Sequence, residues 1–128
     1  MSTPIRIAVI GGGPAGMCAA GAAIRNGADV TLFDHSERLG KKLAITGKGR
    51  CNVTNNCSVP EFLENVPRNP RFLYGALNSF SPSDTMSLFR SLGVELKTER
   101  GRRVFPASDH AADIVGAMKK YCKDASII

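Results

Sequence analysis

This chain has little that would mark it as a secreted, metal-binding or membrane protein. Its four cysteines, Cys18, Cys51, Cys57 and Cys122, are irregularly spaced. They form neither a disulfide framework nor a Cys-x-x-Cys pair, so a reducing cytoplasm is the expected compartment. His35 and His110 have no companion ligands nearby in sequence, so no metal site is expected. No secretory leader is visible, because strand-like sequence begins within the first few residues. Residues 7–24 are uncharged, but five glycines and a proline interrupt them, which suits a turn and a close-packed helix and not a membrane span. There is no internal repeat, no low-complexity tract, no hydrolytic triad and no pair of facing carboxylates. What remains is 128 residues at 43% hydrophobic, enough for one globular unit with a real core. Seventeen Lys and Arg against eleven Asp and Glu give +6, a balance that favours anionic partners such as nucleotide phosphates or nucleic acid.

The most informative segment is Ile7-Ala8-Val9-Ile10-Gly11-Gly12-Gly13-Pro14-Ala15-Gly16, an apolar strand ending in Gly-x-Gly-x-x-Gly. Gly11 permits the tight turn, Gly13 lets the backbone approach a pyrophosphate, and Gly16 allows close helix–sheet packing. Gly12, Pro14 and Ala15 supply turn shape and helix-start donors, whose unpaired N–H groups and dipole favour a diphosphate. Small helical residues follow to Asn26, with Gly27 at the helix end. A β-branched run from Asp29 to Phe33 then ends in Asp34, 18 residues beyond Gly16, where a carboxylate can accept from an adenosine ribose. The expected fold is therefore α/β: a Rossmann-like FAD/NAD(P)-binding fold with a parallel sheet and flanking helices. The residues alone leave FAD and NAD equally open.

Farther along, residues 35–43 read as a polar loop, and 44–57 as glycine- and asparagine-rich non-helical chain. Short helices are expected over 60–66 and 70–80, the second turning Phe72, Leu73, Leu77 and Phe80 inward. Ser81 and Pro82 open a helix that stops at Gly93. Residues 94–98 and 102–105 form a small β-hairpin closed by Pro106. Ser108 and Asp109 then open an amphipathic helix with Ile114, Val115 and Met118 on its buried side. The ending Ser126-Ile127-Ile128 looks like another strand beginning, so residues 1–128 are expected to be the N-terminal part of a longer protein.

The glycine turn, Leu39-Gly40-Lys41-Lys42, Thr46-Gly47-Lys48-Gly49-Arg50-Cys51-Asn52-Val53-Thr54-Asn55 and Arg103-Val104-Phe105-Pro106-Ala107-Ser108-Asp109 together resemble the BaiN/RdsA family of FAD-dependent oxidoreductases. This family is also called YhiN-like or aminoacetone-oxidase-type, and the resemblance covers essentially the full chain. It implies FAD as cofactor at Gly11, Gly13, Gly16 and Asp34, and a flavin domain completed by a C-terminal segment beyond residue 128. Lys42 follows the acidic strand end, with Lys41 beside it. The Gly47–Asn55 stretch is expected to lie along the cofactor, with Gly47 and Gly49 permitting close approach. Arg50 would complement the diphosphate or a reduced flavin anion; Cys51 and Asn52 complete the candidate contact set. Flavin carries the redox step in such enzymes, so no catalytic residue is assigned here.

The expected function is the FAD-binding portion of an oxidoreductase that moves hydride or electrons between a pyridine nucleotide or substrate and flavin, with NAD(P)H a possible donor. The substrate is a small molecule or ribosomal RNA, the latter meeting Lys97, Arg100, Arg102 and Arg103 of the hairpin. The alternatives are an NAD-binding Rossmann dehydrogenase domain and an inactive fragment. A redox-active Cys51–Cys57 disulfide is disfavoured by its spacing and surroundings.

Overall fold

The computed structural model describes residues 2–128. β1 (Arg6–Ile10), α1 (Pro14–Arg25) and β2 (Asp29–Phe33) form the expected βαβ opening, with Arg6 opposite Asp29 and Ile10 opposite Phe33 in parallel register. The chain's last strand, β6 (Ser126–Ile127), adds in parallel to the other side of β2, giving the order β1-β2-β6. The ladder continues past it, where Asp34 N donates to Ile128 O at 2.9 Å. Central β2 is the most buried strand, with Val30 and Leu32 essentially sealed from solvent. β1 is an edge, and it leaves Ile5, Ile7 and Ile10 exposed, Ile10 at 80%.

Met17 and Ala20 of α1 pack onto this sheet together with Ile114, Ala117 and Met118 of α6 (Ala111–Tyr121). A second sheet is antiparallel, ordered β3-β5-β4, from β3 (Thr54–Asn55), β4 (Leu96–Glu99) and β5 (Arg103–Pro106). Its tight connection, Arg100–Arg102, confirms the predicted hairpin. α3 (Val59–Glu64) and α5 (Pro82–Ser91) each begin with a reciprocal capping box, Ser58 with Glu61 and Ser81 with Asp84, and each has proline in its first turn.

Three expectations need correction. Residues 41–49 are not all loop: α2 (Lys41–Gly49) starts with a helical turn in which Ala44 N bonds Gly40 O at 3.2 Å. Gly40, left-handed at φ 70°, swings the chain into that turn, and half-buried Leu43 packs against the core. The helix then breaks at Thr46, Gly47 and Lys48, whose backbone angles are non-helical, so the glycine-rich reading holds for its second half. The predicted 70–80 helix is split into a 3-10 turn, Pro70–Leu73, and α4 (Tyr74–Ser79). Leu73 and Leu77 are half-buried, but Phe72 is 87% exposed and Phe80 46%, because so short a helix has too narrow a face to seat four large side chains. Finally, α6 is entered from His110 and not from Ser108 or Asp109. Ser108 Oγ instead bonds the Asp113 carboxylate and accepts from His110 N, while Asp109 turns away to an ion-pair cluster.

Candidate functional site

Two clusters gather the residues singled out in the sequence. The first lies at the C-terminal ends of β1 and β2. Gly11, at φ 103°, makes the turn out of β1, and its N–H bonds Phe33 O at 2.7 Å. A Cβ on Gly16 would sit 1.7 Å from Gly11 O, so the helix approaches its own turn as only glycine allows. Gly13 caps α1 without a side-chain cap, so no side chain satisfies the first-turn N–H groups. A Cβ on Gly13 would meet nothing within 4 Å, whereas one on Gly12 would strike Leu39 and Asp34. The open space expected for a phosphate therefore lies at Gly13, and Gly12 is packed from inside.

Asp34, with a side chain only 12% exposed, accepts from Gly12 N and, at 2.6 Å, from Ser36 N. Those backbone donors, Ser36 first, together with nearby His35, hold its carboxyl below the usual aspartate range. Gly12, Gly13, Asp34 and Lys42 line a common cavity of about 340 Å³, joined there by Arg38 and Ile45, which the sequence reading did not single out. Arg38 is also at the rim of a larger groove of about 1030 Å³ that runs between Lys41, Gly49 and α6 to Lys119. Arg38, Lys41 and Lys42 are exposed cations, and no carboxylate among the described residues pairs with them. The signal that would have found Arg38 is its place four residues after the acidic strand end.

The second cluster holds Gly47, Arg50, Cys51 and Asn52, none of which lines the 340 Å³ cavity. Lys48, Gly49 and Cys51 join Gly47 in left-handed conformations, four in five residues. A Cβ on Gly47 would fall 2.7 Å from Asn52 N and 3.2 Å from the Phe105 ring, so its close approach is to the chain itself. Arg50 Nη1 donates to Glu99 Oε1 at 3.0 Å and Asp109 Oδ1 at 2.9 Å, and its guanidinium lies 4.0 Å from the centre of the Phe105 ring. Lys97 reaches the same two carboxylates, Asp109 at 2.6 Å and Glu99 at 3.4 Å. Arg50 and Lys97 hold the Glu99 carboxyl below its usual range; Lys97, then Arg50, do the same for Asp109.

Of the four hairpin cations proposed for a nucleic-acid backbone, Lys97 is thus tied down and Arg102 is paired with Glu61 at 3.0 Å. Arg103 Nε bonds Arg100 O. Burial raises the thiol pKa of Cys18, Cys51 and Cys122, and all four cysteines are free. No group of three or more His, Cys, Asp or Glu among the described residues is placed to hold a metal ion, and no described helix is long and apolar enough to cross a membrane.

A parallel βαβ unit with its glycine turn gripped by an acidic strand end is the mark of a Rossmann-type domain. The chain belongs to the family described as HI0933-like protein Rossmann domain, whose model matches residues 5–128. It is 38% identical over 112 residues to a 3-dehydro-bile acid delta(4,6)-reductase of Clostridium scindens, covering 86% of this chain and 27% of that protein. It is 31% identical over 114 residues to a ribosomal RNA dihydrouridine synthase of Haemophilus influenzae, covering 89% of this chain and 28% of the relative. The Escherichia coli protein of that name is 30% identical over 119 residues, with 93% and 29% covered. The chain therefore spans less than a third of the length of these relatives. Among solved structures, Thermovibrio ammonificans THI4 shares the fold at TM-score 0.51 and 16% identity, over 98% of this chain and 38% of that one.

Proposed function

We propose that this chain is the FAD-binding part of a flavin-dependent oxidoreductase. The observation that carries the reading is the junction of β1, α1 and β2: open space at Gly13, which begins α1 with no side-chain cap, and the Asp34 carboxylate share one cavity with Lys42 and Arg38. These residues fit a dinucleotide. The N–H groups and the cationic rim suit a diphosphate, and the outer lone pairs of Asp34 remain able to accept from a ribose hydroxyl. Gly11, Gly12, Gly13, Pro14, Ala15, Gly16, Asp34 and Lys42 are the proposed direct contacts, and Gly47, Gly49, Arg50, Cys51 and Asn52 are assigned to a second stretch whose Gly49 shares the larger groove with Arg38 and Lys41. When bound, FAD would supply hydride transfer, while the chain orients it and neutralises its phosphates.

The names of the relatives support a substrate class. A delta(4,6)-reductase of a 3-oxo compound and an enzyme that forms dihydrouridine both reduce a carbon–carbon double bond conjugated to a carbonyl. We assign the same reaction class to the protein that contains this domain: a hydride from reduced flavin and a proton add across such a bond. A pyridine nucleotide is the proposed source of the hydride, and the cytoplasm the proposed compartment. Titrating the protein with FAD while following flavin fluorescence tests the cofactor. Saturable quenching with competition by ADP supports FAD. Binding of NAD with no response to FAD overturns it in favour of a nicotinamide-dependent dehydrogenase.

A further inference from the structure

The Thr46–Asn55 stretch has a conformation that its own sequence does not stabilise. Lys48 and Cys51 are non-glycine residues at φ 59°, a backbone region costing about 1 kcal/mol or more per residue. Its internal bonds are few, chiefly Cys51 N to Thr46 O at 3.0 Å and Arg50 N to Gly47 O at 3.3 Å. The antiparallel sheet supplies the rest: Val53 N bonds Val104 O at 2.9 Å, and the Asn52 amide, oriented to donate, reaches Thr54 O and Val104 O at 3.0 and 3.1 Å. Two side chains add further links: Asn55 Nδ2 donates to Gly101 O at 2.9 Å, and Arg50 reaches two carboxylates. Arg50 spans 49 residues to Glu99 and 59 to Asp109, and lies over Phe105, itself only 2% exposed.

We propose that Glu99 and Asp109 are positioning residues that act through Arg50, clamping the Thr46–Asn55 loop into the shape that meets the cofactor. The proposal rests on the FAD reading for its ligand, and it reverses the expected role of Arg50 as a phosphate partner. Two carboxylates within 2.9–3.2 Å of its Nη atoms already use the guanidinium fork. A phosphate brought to Arg50 would have to displace those carboxylates or approach their negative charge. Lys97 completes the cluster as two cations and two anions, so the clamp carries no net charge that would draw in an anion. Asp109 reaches the cluster because it sits at φ 60° between β5 and α6, where it forgoes capping the helix that follows.

The test compares Arg50→Met, Glu99→Gln, Asp109→Asn and the triple variant with the wild-type chain by FAD titration, and by amide hydrogen exchange without ligand. A clamp predicts that each acid substitution weakens FAD binding in the same direction as Arg50→Met. The expected size is roughly ten-fold, as for loss of one charge-assisted bond. The triple variant should be little worse than Arg50→Met, since all remove one device. Amides of residues 46–55 should exchange faster in every variant while those of α1 and β2 keep their protection. Acid variants that bind FAD as tightly as wild type or tighter, with Arg50→Met weakened, would show Arg50 to be a phosphate ligand and end the proposal. Unaltered exchange in residues 46–55 would end it as well. If wild type binds no FAD, the cofactor reading fails by itself, and the exchange arm still decides the clamp. Glu99→Gln keeps Asp109 and Lys97 in place, so it serves should the other variants not fold.

Discussion

The backbone N–H of Gly12 donates to the carboxylate of Asp34, 22 residues later, so a side chain joins the Gly11 N to Phe33 O bond in holding the glycine turn to the neighbouring strand end. The side chain that would face the ribose also shapes the phosphate loop. Asp34→Asn should therefore lower the melting temperature and weaken FAD binding roughly ten-fold, by loss of a charge-assisted acceptor. Calorimetry and fluorescence titration measure the two effects; a variant weaker in binding but unchanged in stability would limit Asp34 to the ligand.

Gly13 and Gly16 separate folding from binding. Gly13 has φ −78° and free space around it, so Gly13→Val should change stability by about 1 kcal/mol or less and yet abolish FAD binding. Gly16→Ala drives a methyl into the Gly11 carbonyl and should cost about 3 kcal/mol of folding stability, read from urea melts. If Gly13→Val bound FAD normally, the backbone would not approach the diphosphate where proposed.

Acid should destabilise the fold. Asp34, Glu61, Asp84, Glu99 and Asp109 all titrate below their ordinary range, Glu61 at about 2 because the Ser58 N–H and hydroxyl bond it ahead of Arg102. The unfolded chain then takes up these protons at higher pH than the folded one, so their stabilisation is complete above the unfolded carboxylate values. It is lost as pH falls through the depressed folded values. Urea midpoints should be level between pH 7 and about pH 5 and drop steadily toward pH 3.

The thiols should react in order of access. Cys51 and Cys122 are buried and, like half-buried Cys18, are held protonated by burial, so an aromatic disulfide reagent at pH 8 should modify Cys57 first. Mass mapping of partly labelled protein checks this, and prompt labelling of Cys51 would contradict the packing described.

Most of the fold was legible because it is local. A capping serine at Ser81 and a β-branched run before Asp34 each act within a dozen residues, and α5 and β2 formed where expected. The first cluster was equally legible, since its glycines and Asp34 belong to one βαβ unit. Arg50 was not, because its partners lie 49 and 59 residues away and no short-range pattern links a guanidinium to them. Phe72 and Phe80 misled for the opposite reason: apolar spacing shows what a continuous helix could bury, but the helix is broken, leaving Phe72 in the 3-10 turn before α4 and Phe80 at its C-terminal end. Leu39 enters the core and Leu43 packs against it, and the chain there takes up a helical turn despite its polar neighbours.

β1 leaves a row of backbone donors and acceptors open along its outer side, flanked by exposed isoleucines. Such a border is sticky: it accepts any extended polypeptide that comes alongside, whether a further strand of the same sheet or an unrelated molecule. Kept by itself in concentrated solution, the polypeptide is therefore prone to clump through this margin, and the repulsion of its net +6 charge at low ionic strength opposes this.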